Sequence, residues 1–124
     1  MASVAGMKGG TPHLLYPTRK GAIVNMTRAM AENHAPDGIR VICVCPCVVY
    51  TPMMYAKGMS EESREARKNR NLLKTEENGW DVGAAVRFLA GDEARWMTGV
   101  ILPIGAGATA AIGTELPKNA STNS

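Results

Sequence analysis

Residues 39–45 read Ile-Arg-Val-Ile-Cys-Val-Cys, with the turn signal Pro36-Asp37-Gly38 before them and Pro46 after them. The run is nearly continuous in apolar side chains and rich in β-branched ones. Strict alternation would mark a strand with one wet face. A continuous run predicts a strand buried on both faces, as in a parallel sheet covered by helices. Pro46 is expected to stop it, because proline has no amide to give to a ladder. A second apolar strand is predicted over 100–104, Val-Ile-Leu-Pro-Ile.

Between these strands lie two predicted helices. Ser60 is placed to cap a helix from Glu61 to about Lys74. Asp81 is expected to cap the next, in which Val82, Ala85, Val86 and Leu89 fall at i, i+3, i+4 and i+7, with Gly91 as the stop. Strand, helical crossover and strand make a βαβ unit, right-handed by default. Upstream, Ser3 to Thr11 is small and Gly-rich, hence a loop. A helix is predicted to begin near Pro17, with Ala22, Ile23, Met26, Met30 and Ala31 as its apolar stripe. Val48 to Ser60 is a loop containing Met53, Met54, Met59, Tyr50 and Tyr55. The folded part is expected to cover 1–116, and the polar residues 117–124 to form a mobile tail.

The 124 residues are 45 % hydrophobic and 20 % charged, a globular composition with room for one domain or less. Net charge is +3, and the basic residues between Arg64 and Lys74 are diluted by Glu61, Glu62, Glu65, Glu76 and Glu77, which excludes a nucleic-acid footprint. Residues 1–10 show no apolar signal region, so a cytoplasmic location is expected. The stretch 96–114 is uncharged for 19 residues, but Pro103 and four glycines break it, favouring a strand and turn over a membrane span. Cys43, Cys45 and Cys47 are odd in number and alternate in sequence. Buried thiols on one strand face are expected, with neither a disulfide framework nor a metal site.

Two motifs carry chemistry. Gly105-x-Gly107-x-x-Ala110 matches a dinucleotide fingerprint, but only 14 residues follow it, too few for the βαβ unit that the fingerprint must open. It is rejected. Tyr16 and Lys20 are four apart and share a helix face. A phenol is a poor acid–base group at neutral pH, and a neighbouring ammonium favours its ionised form. Ser3 is a hydroxyl able to hold a substrate oxygen beside that phenol.

Ser3-Val4-Ala5-Gly6, Tyr16-Pro-Thr-Arg-Lys20-Gly-Ala, Asp37-Gly-Ile-Arg-Val41 leading to Pro46-x-x-x-x-Thr51, and Thr98-Gly-Val-Ile-Leu-Pro103 occur in this order. Over residues 3–107 they resemble the catalytic, carboxyl-terminal half of the short-chain dehydrogenase/reductase family. The resemblance implies part of a doubly wound, Rossmann-like α/β sheet: two parallel strands with flanking helices. It implies an oxidoreductase that moves a hydride between NAD or NADP and a secondary alcohol or ketone. Tyr16 would be the acid/base, Lys20 would bind the nicotinamide ribose and tune Tyr16, and Ser3 would polarise the substrate carbonyl. Pro46, Val48, Val49 and Thr51 would lie along the nicotinamide, and Met53, Met54 and Tyr55 would belong to the substrate loop. The expected partner is a small carbonyl or alcohol substrate, with homo- or hetero-oligomers possible.

The chain also departs from the family pattern. Cys47 stands where the turn glycine is usual, Arg19 where a small residue is usual, and Gly105 in place of a frequent Asp. The family's Gly-rich cofactor loop belongs upstream of Ser3. The isolated chain is therefore expected to be inactive and to show no measurable NAD(P)H binding. The alternative is a non-catalytic fragment that associates with a full-length relative.

Overall fold

The computed structural model describes residues 1–10, 12–47, 49–50 (backbone only) and 58–111. After a short 3-10 turn at Val4–Gly6 come α1 (Leu15–His34), β1 (Cys43–Pro46), β2 (Val49–Tyr50), α2 (Glu61–Lys68), β3 (Glu77–Asn78), α3 (Gly79–Ala90) and β4 (Ile101–Ile104). β1 and β4 pair in parallel, with Cys43 opposite Ile101 and Pro46 opposite Ile104. α2 and α3 lie in the crossover between them, so the α/β class, the parallel pairing and the flanking helices agree with expectation.

The first strand is shifted from the predicted 39–45. Its ladder partner begins only at Ile101, so residues 39–41 bond elsewhere. Ile39 donates to the His34 carbonyl, Val41 donates to Thr98 Oγ1, and the Gly99 amide donates to the Val41 carbonyl. The strand does stop at Pro46, but Pro46 is itself paired as its last residue. Cys43 and Cys47 donate their amides to Val100 and Ile104. Alternation therefore turns the amide position of residue 46 toward the other edge, where proline loses nothing. All four β1 residues are buried, as the continuous apolar run predicts.

The core is small. Ala2, Val24, Cys43 and Cys45 form it, with Ile23 and Ile101 packed against it. The Sγ atoms of Cys43 and Cys45 stand 3.8 Å apart on one strand face. Burial, and then the neighbouring Cys43, push the Cys45 thiol up to about 11, which keeps it protonated and inert. Among the described residues no three His, Cys, Asp or Glu side chains are grouped to hold a metal ion.

The helices show three further corrections. α1 starts at Leu15 with Pro17 in its first turn, as expected, but buries Val24, Thr27 and Ala31. Thr27 is tolerated there because its hydroxyl donates to the Ile23 carbonyl at 2.9 Å. Of the predicted stripe, Ala22, Met26 and Met30 are exposed and form a second apolar face with no cover among the described residues. α2 is capped by Ser60, whose Oγ accepts from the Ser63 amide, but it ends at Lys68 and not near Lys74. Asn71 closes a local turn with both main-chain groups of Thr75, and Lys74 takes a positive φ of 53° that no helix allows. α3 is capped by Asn78 and not by Asp81. Asn78 Oδ1 accepts from Trp80 and Asp81, and Asp81 Oδ2 accepts from the Asn78 amide at 2.9 Å, closing a capping box.

The mixed charges around α2 pair with each other: Arg64 with Glu76 and Glu61, and Lys68 with Glu65. No helix among the described residues is long and apolar enough to cross a membrane. Val48, residues 51–57 and the predicted tail lie outside the described residues.

Candidate functional site

The site begins with the turn at Val4–Gly6. The Ala2 amide donates to the Val44 carbonyl at 2.9 Å, which fixes the chain start against β1 and sets Ser3, itself buried, beside the strand. Ser3 caps the turn, its Oγ accepting from the Ala5 amide at 3.2 Å. An accepting hydroxyl keeps its proton to donate. Gly6 then meets α1 backbone to backbone. A Cβ on Gly6 would lie 2.6 Å from both the carbonyl carbon and oxygen of Lys20. The glycine is required for space, and the contact locks the Ser3 turn onto the segment that carries Tyr16 and Lys20.

Tyr16 and Lys20 lie in the first turns of α1, on one face, as their spacing predicts. Lys20 Nζ is 5.6 Å from the centroid of the Tyr16 ring, and the Arg19 guanidinium carbon is 5.9 Å from it on the neighbouring position. Lys20 is half-buried, and its ammonium has no ion pair or hydrogen bond among the described residues. Tyr16 is 40 % exposed, so its ring is reachable from solvent. Ser3 shares no hydrogen bond with Tyr16. The two are joined through Gly6.

Of the other predicted site residues, Pro46 ends β1. The Val49 backbone forms β2, in register with Glu77 of β3. Val48, Thr51, Met53, Met54 and Tyr55 lie outside the described residues. At two residues each, β2 and β3 are too short to leave a periodic signal, and they were not expected from the sequence.

The sequence also gave no sign of Glu77. Both its carboxylate oxygens are buried without a hydrogen-bond partner. Burial pushes its carboxyl above the usual range, against the opposing pull of the Cys47 amide. Asp81 adds to the rise. A carboxyl whose folded value is raised contributes stability that is full below the unfolded value and is lost as pH climbs through the raised one. Glu77→Gln is therefore expected to raise the melting temperature at neutral pH. It should also flatten the decline between the ordinary glutamate range and neutrality, followed by thermal melts across that window. Glu76 is the opposite case: two short bonds from Arg64, 2.6 and 2.7 Å, hold it below the usual range.

A family model described as enoyl-(acyl carrier protein) reductase matches residues 1–109. Meso-2,3-butanediol dehydrogenase of Serratia marcescens is 40 % identical over 112 residues, which are 90 % of this chain and 44 % of that protein. Among solved structures, a 4-hydroxyisoleucine dehydrogenase mutant complexed with NADH and succinate superposes with a TM-score of 0.83 at 27 % identity, over 90 % of this chain and 46 % of that one. A short-chain dehydrogenase family protein from Francisella tularensis subsp. tularensis SCHU S4 gives a TM-score of 0.80 at 28 % identity, over 89 % and 49 %. The chain thus spans about half the length of the relatives it matches. With the family match over most of its length, the parallel β1–β4 pair, and a Tyr16–Lys20 pair held to a serine turn, the chain belongs to the short-chain dehydrogenase/reductase family.

Proposed function

We propose that Ser3, Tyr16 and Lys20 serve hydride transfer between NAD(P) and a secondary alcohol or ketone. The observation that carries this reading is half-buried Lys20, whose ammonium has no ion pair or hydrogen bond among the described residues and lies 5.6 Å from the Tyr16 ring centroid, on a helix segment that Gly6 clamps to the Ser3 turn. Support also comes from the neighbour complexed with NADH.

In the oxidation direction the Tyr16 phenolic oxygen takes the hydroxyl proton of the alcohol as the carbonyl forms. In reduction it returns that proton to the carbonyl oxygen. Ser3 donates its free hydroxyl proton to the same substrate oxygen and holds it in reach. Lys20 sets its ammonium 5.6 Å from the Tyr16 ring centroid, on the same helix face. NAD(P), when bound, supplies the hydride acceptor or donor. Lys20, Pro46 and the Val49 backbone fit its nicotinamide–ribose end, since Pro46 closes β1 at the carboxyl edge of the sheet, where α/β folds bind ligands.

We further propose that this chain alone is the catalytic half and does not turn over. Fluorescence titration with NADH and NADPH is expected to show no saturable binding by the chain alone. Co-expression with the amino-terminal half of meso-2,3-butanediol dehydrogenase is expected to restore hydride transfer that depends on Tyr16. Saturable binding by the chain alone would remove the claim of inactivity, and a folded but inactive complex would count against the oxidoreductase reading. A second reading, association with a full-length relative without catalysis, is favoured by the uncovered apolar side chains of α1 and α3. Leu15 is 75 %, Met26 52 % and Trp80 86 % exposed.

A further inference from the structure

A cavity of about 430 Å³ opens between α2 and the carboxyl ends of β1 and β4, where Cys47 and Gly105 leave the strands. Its volume is that of a small-molecule site, and its place is where open α/β sheets bind ligands. Its charged lining is mostly committed. Arg64 is held by Glu76 through two bonds, Lys68 by Glu65 at 3.0 Å, and Asp81 by the α3 capping box. Asn71 and Asn78 spend their side chains on Thr75 and on the α3 cap. Glu77 is buried and driven toward its neutral form.

Arg67 is the exception. It is half-buried on the cavity wall, and its guanidinium makes no ion pair or hydrogen bond among the described residues. A guanidinium carries five donors in a planar fork, shaped for a carboxylate held by two parallel bonds. Partial burial removes some of its water while no described residue supplies an acceptor, so an anion that enters the cavity meets a cation whose donors are unspent among the described residues.

We propose that this cavity takes the carboxylate end of a keto- or hydroxy-acid substrate, and that Arg67 is the residue that recognises it. The inference rests on the oxidoreductase reading for the reacting end of that molecule. It names Arg67 as a specificity residue, apart from Ser3, Tyr16 and Lys20.

The test uses the full chain without cofactor, at fixed ionic strength. Levulinate (4-oxopentanoate) and the uncharged 2-pentanone are titrated into protein labelled with ¹⁵N at arginine, and the Nε–Hε resonances are followed by NMR. Levulinate is expected to shift the Arg67 resonance saturably, and 2-pentanone to leave it in place. Arg67→Gln should weaken levulinate binding at least tenfold, and Arg67→Lys should lie between, since an ammonium keeps the charge and loses the fork. Unchanged circular dichroism in both variants shows that the fold is kept, as expected for a guanidinium with no bonds among the described residues. Equal binding of the two probes, no shift at Arg67, or full affinity in Arg67→Gln overturns the proposal. Because no hydride transfer is read, the two claims fail separately. Arg67-dependent binding in a complex that never transfers hydride sinks only the oxidoreductase reading. Turnover without Arg67-dependent binding sinks only this one.

Discussion

Replacing Gly6 with alanine is expected to destabilise the protein by about 2–3 kcal/mol, the scale of overpacking at a site that cannot relax. The new Cβ would stand 2.6 Å from the Lys20 carbonyl carbon and oxygen and 2.9 Å from the Gly21 amide nitrogen. All three are main-chain atoms inside a 20-residue helix, so no side chain can rotate away. Either the Ser3 turn lifts off α1, which strains the Ala2 bond to β1, or the helix opens a turn. Gly21, on the other side of the same contact, provides the control. A Cβ there meets the Gly6 carbonyl oxygen at 3.6 Å, an ordinary contact. Gly21→Ala should therefore keep or gain stability, by up to about 1 kcal/mol from helix propensity. Urea denaturation of the two variants checks the contrast. A Gly6→Ala midpoint within error of the parent would mean that the turn and helix are not in close contact. Because the clash falls on Lys20 itself, Gly6→Ala should also lower any Tyr16-dependent activity beyond its effect on stability.

The parts of the fold that were legible in the sequence are those set by continuous or periodic apolar pattern. The apolar run at 39–45, buried from Cys43 on, and the strand at 100–104 named a parallel pair, and the Tyr16–Lys20 spacing placed both residues on one face of α1. The errors have local causes that pattern does not encode. β1 begins at Cys43 because β4 offers no earlier partner. α2 stops at Lys68, and beyond it the Asn71 side chain holds both main-chain groups of Thr75 in a turn. The start of α3 depends on which of Asn78 and Asp81 faces the free amides, and the two share the work. In α1 the Met26 stripe and the Val24–Thr27–Ala31 stripe are both plausible core faces. Only packing against β1 chooses between them, and it chose the one containing a threonine. Glu77 and Arg67 could not have been found in sequence, since a buried carboxyl and an uncommitted guanidinium are properties of neighbours brought in by α2 and β3.

Gly105→Ala is expected to cost about 1–2 kcal/mol, and that cost is expected to depend on residue 47. Cys47 and Gly105 each depart from the family pattern, and the structure puts them against one another. A Cβ on Gly105 would lie 2.9 Å from the Cys47 Cβ, while the Cys47 sulfur and the Ala108 Cβ would be at an ordinary 3.7 Å. The obstacle is thus the β-carbon of Cys47 and not its thiol. Cys47 also donates its amide to Ile104, the residue before Gly105, so the two strand exits cannot slide apart without losing that 3.0 Å bond. In a Cys47→Gly background the alanine should be nearly free of penalty, giving a coupling of about 1 kcal/mol or more between the sites. In a Cys47→Ala background, which keeps the β-carbon, the full penalty should remain. Chemical denaturation of the three single variants and two double variants measures this. Rescue by Cys47→Ala equal to that by Cys47→Gly would shift the blame to the sulfur, and additive costs would show no shared space. With the expected result, the β-carbon at 47 requires the absence of one at 105, and the two residues together shape the wall of the cavity that Arg67 lines.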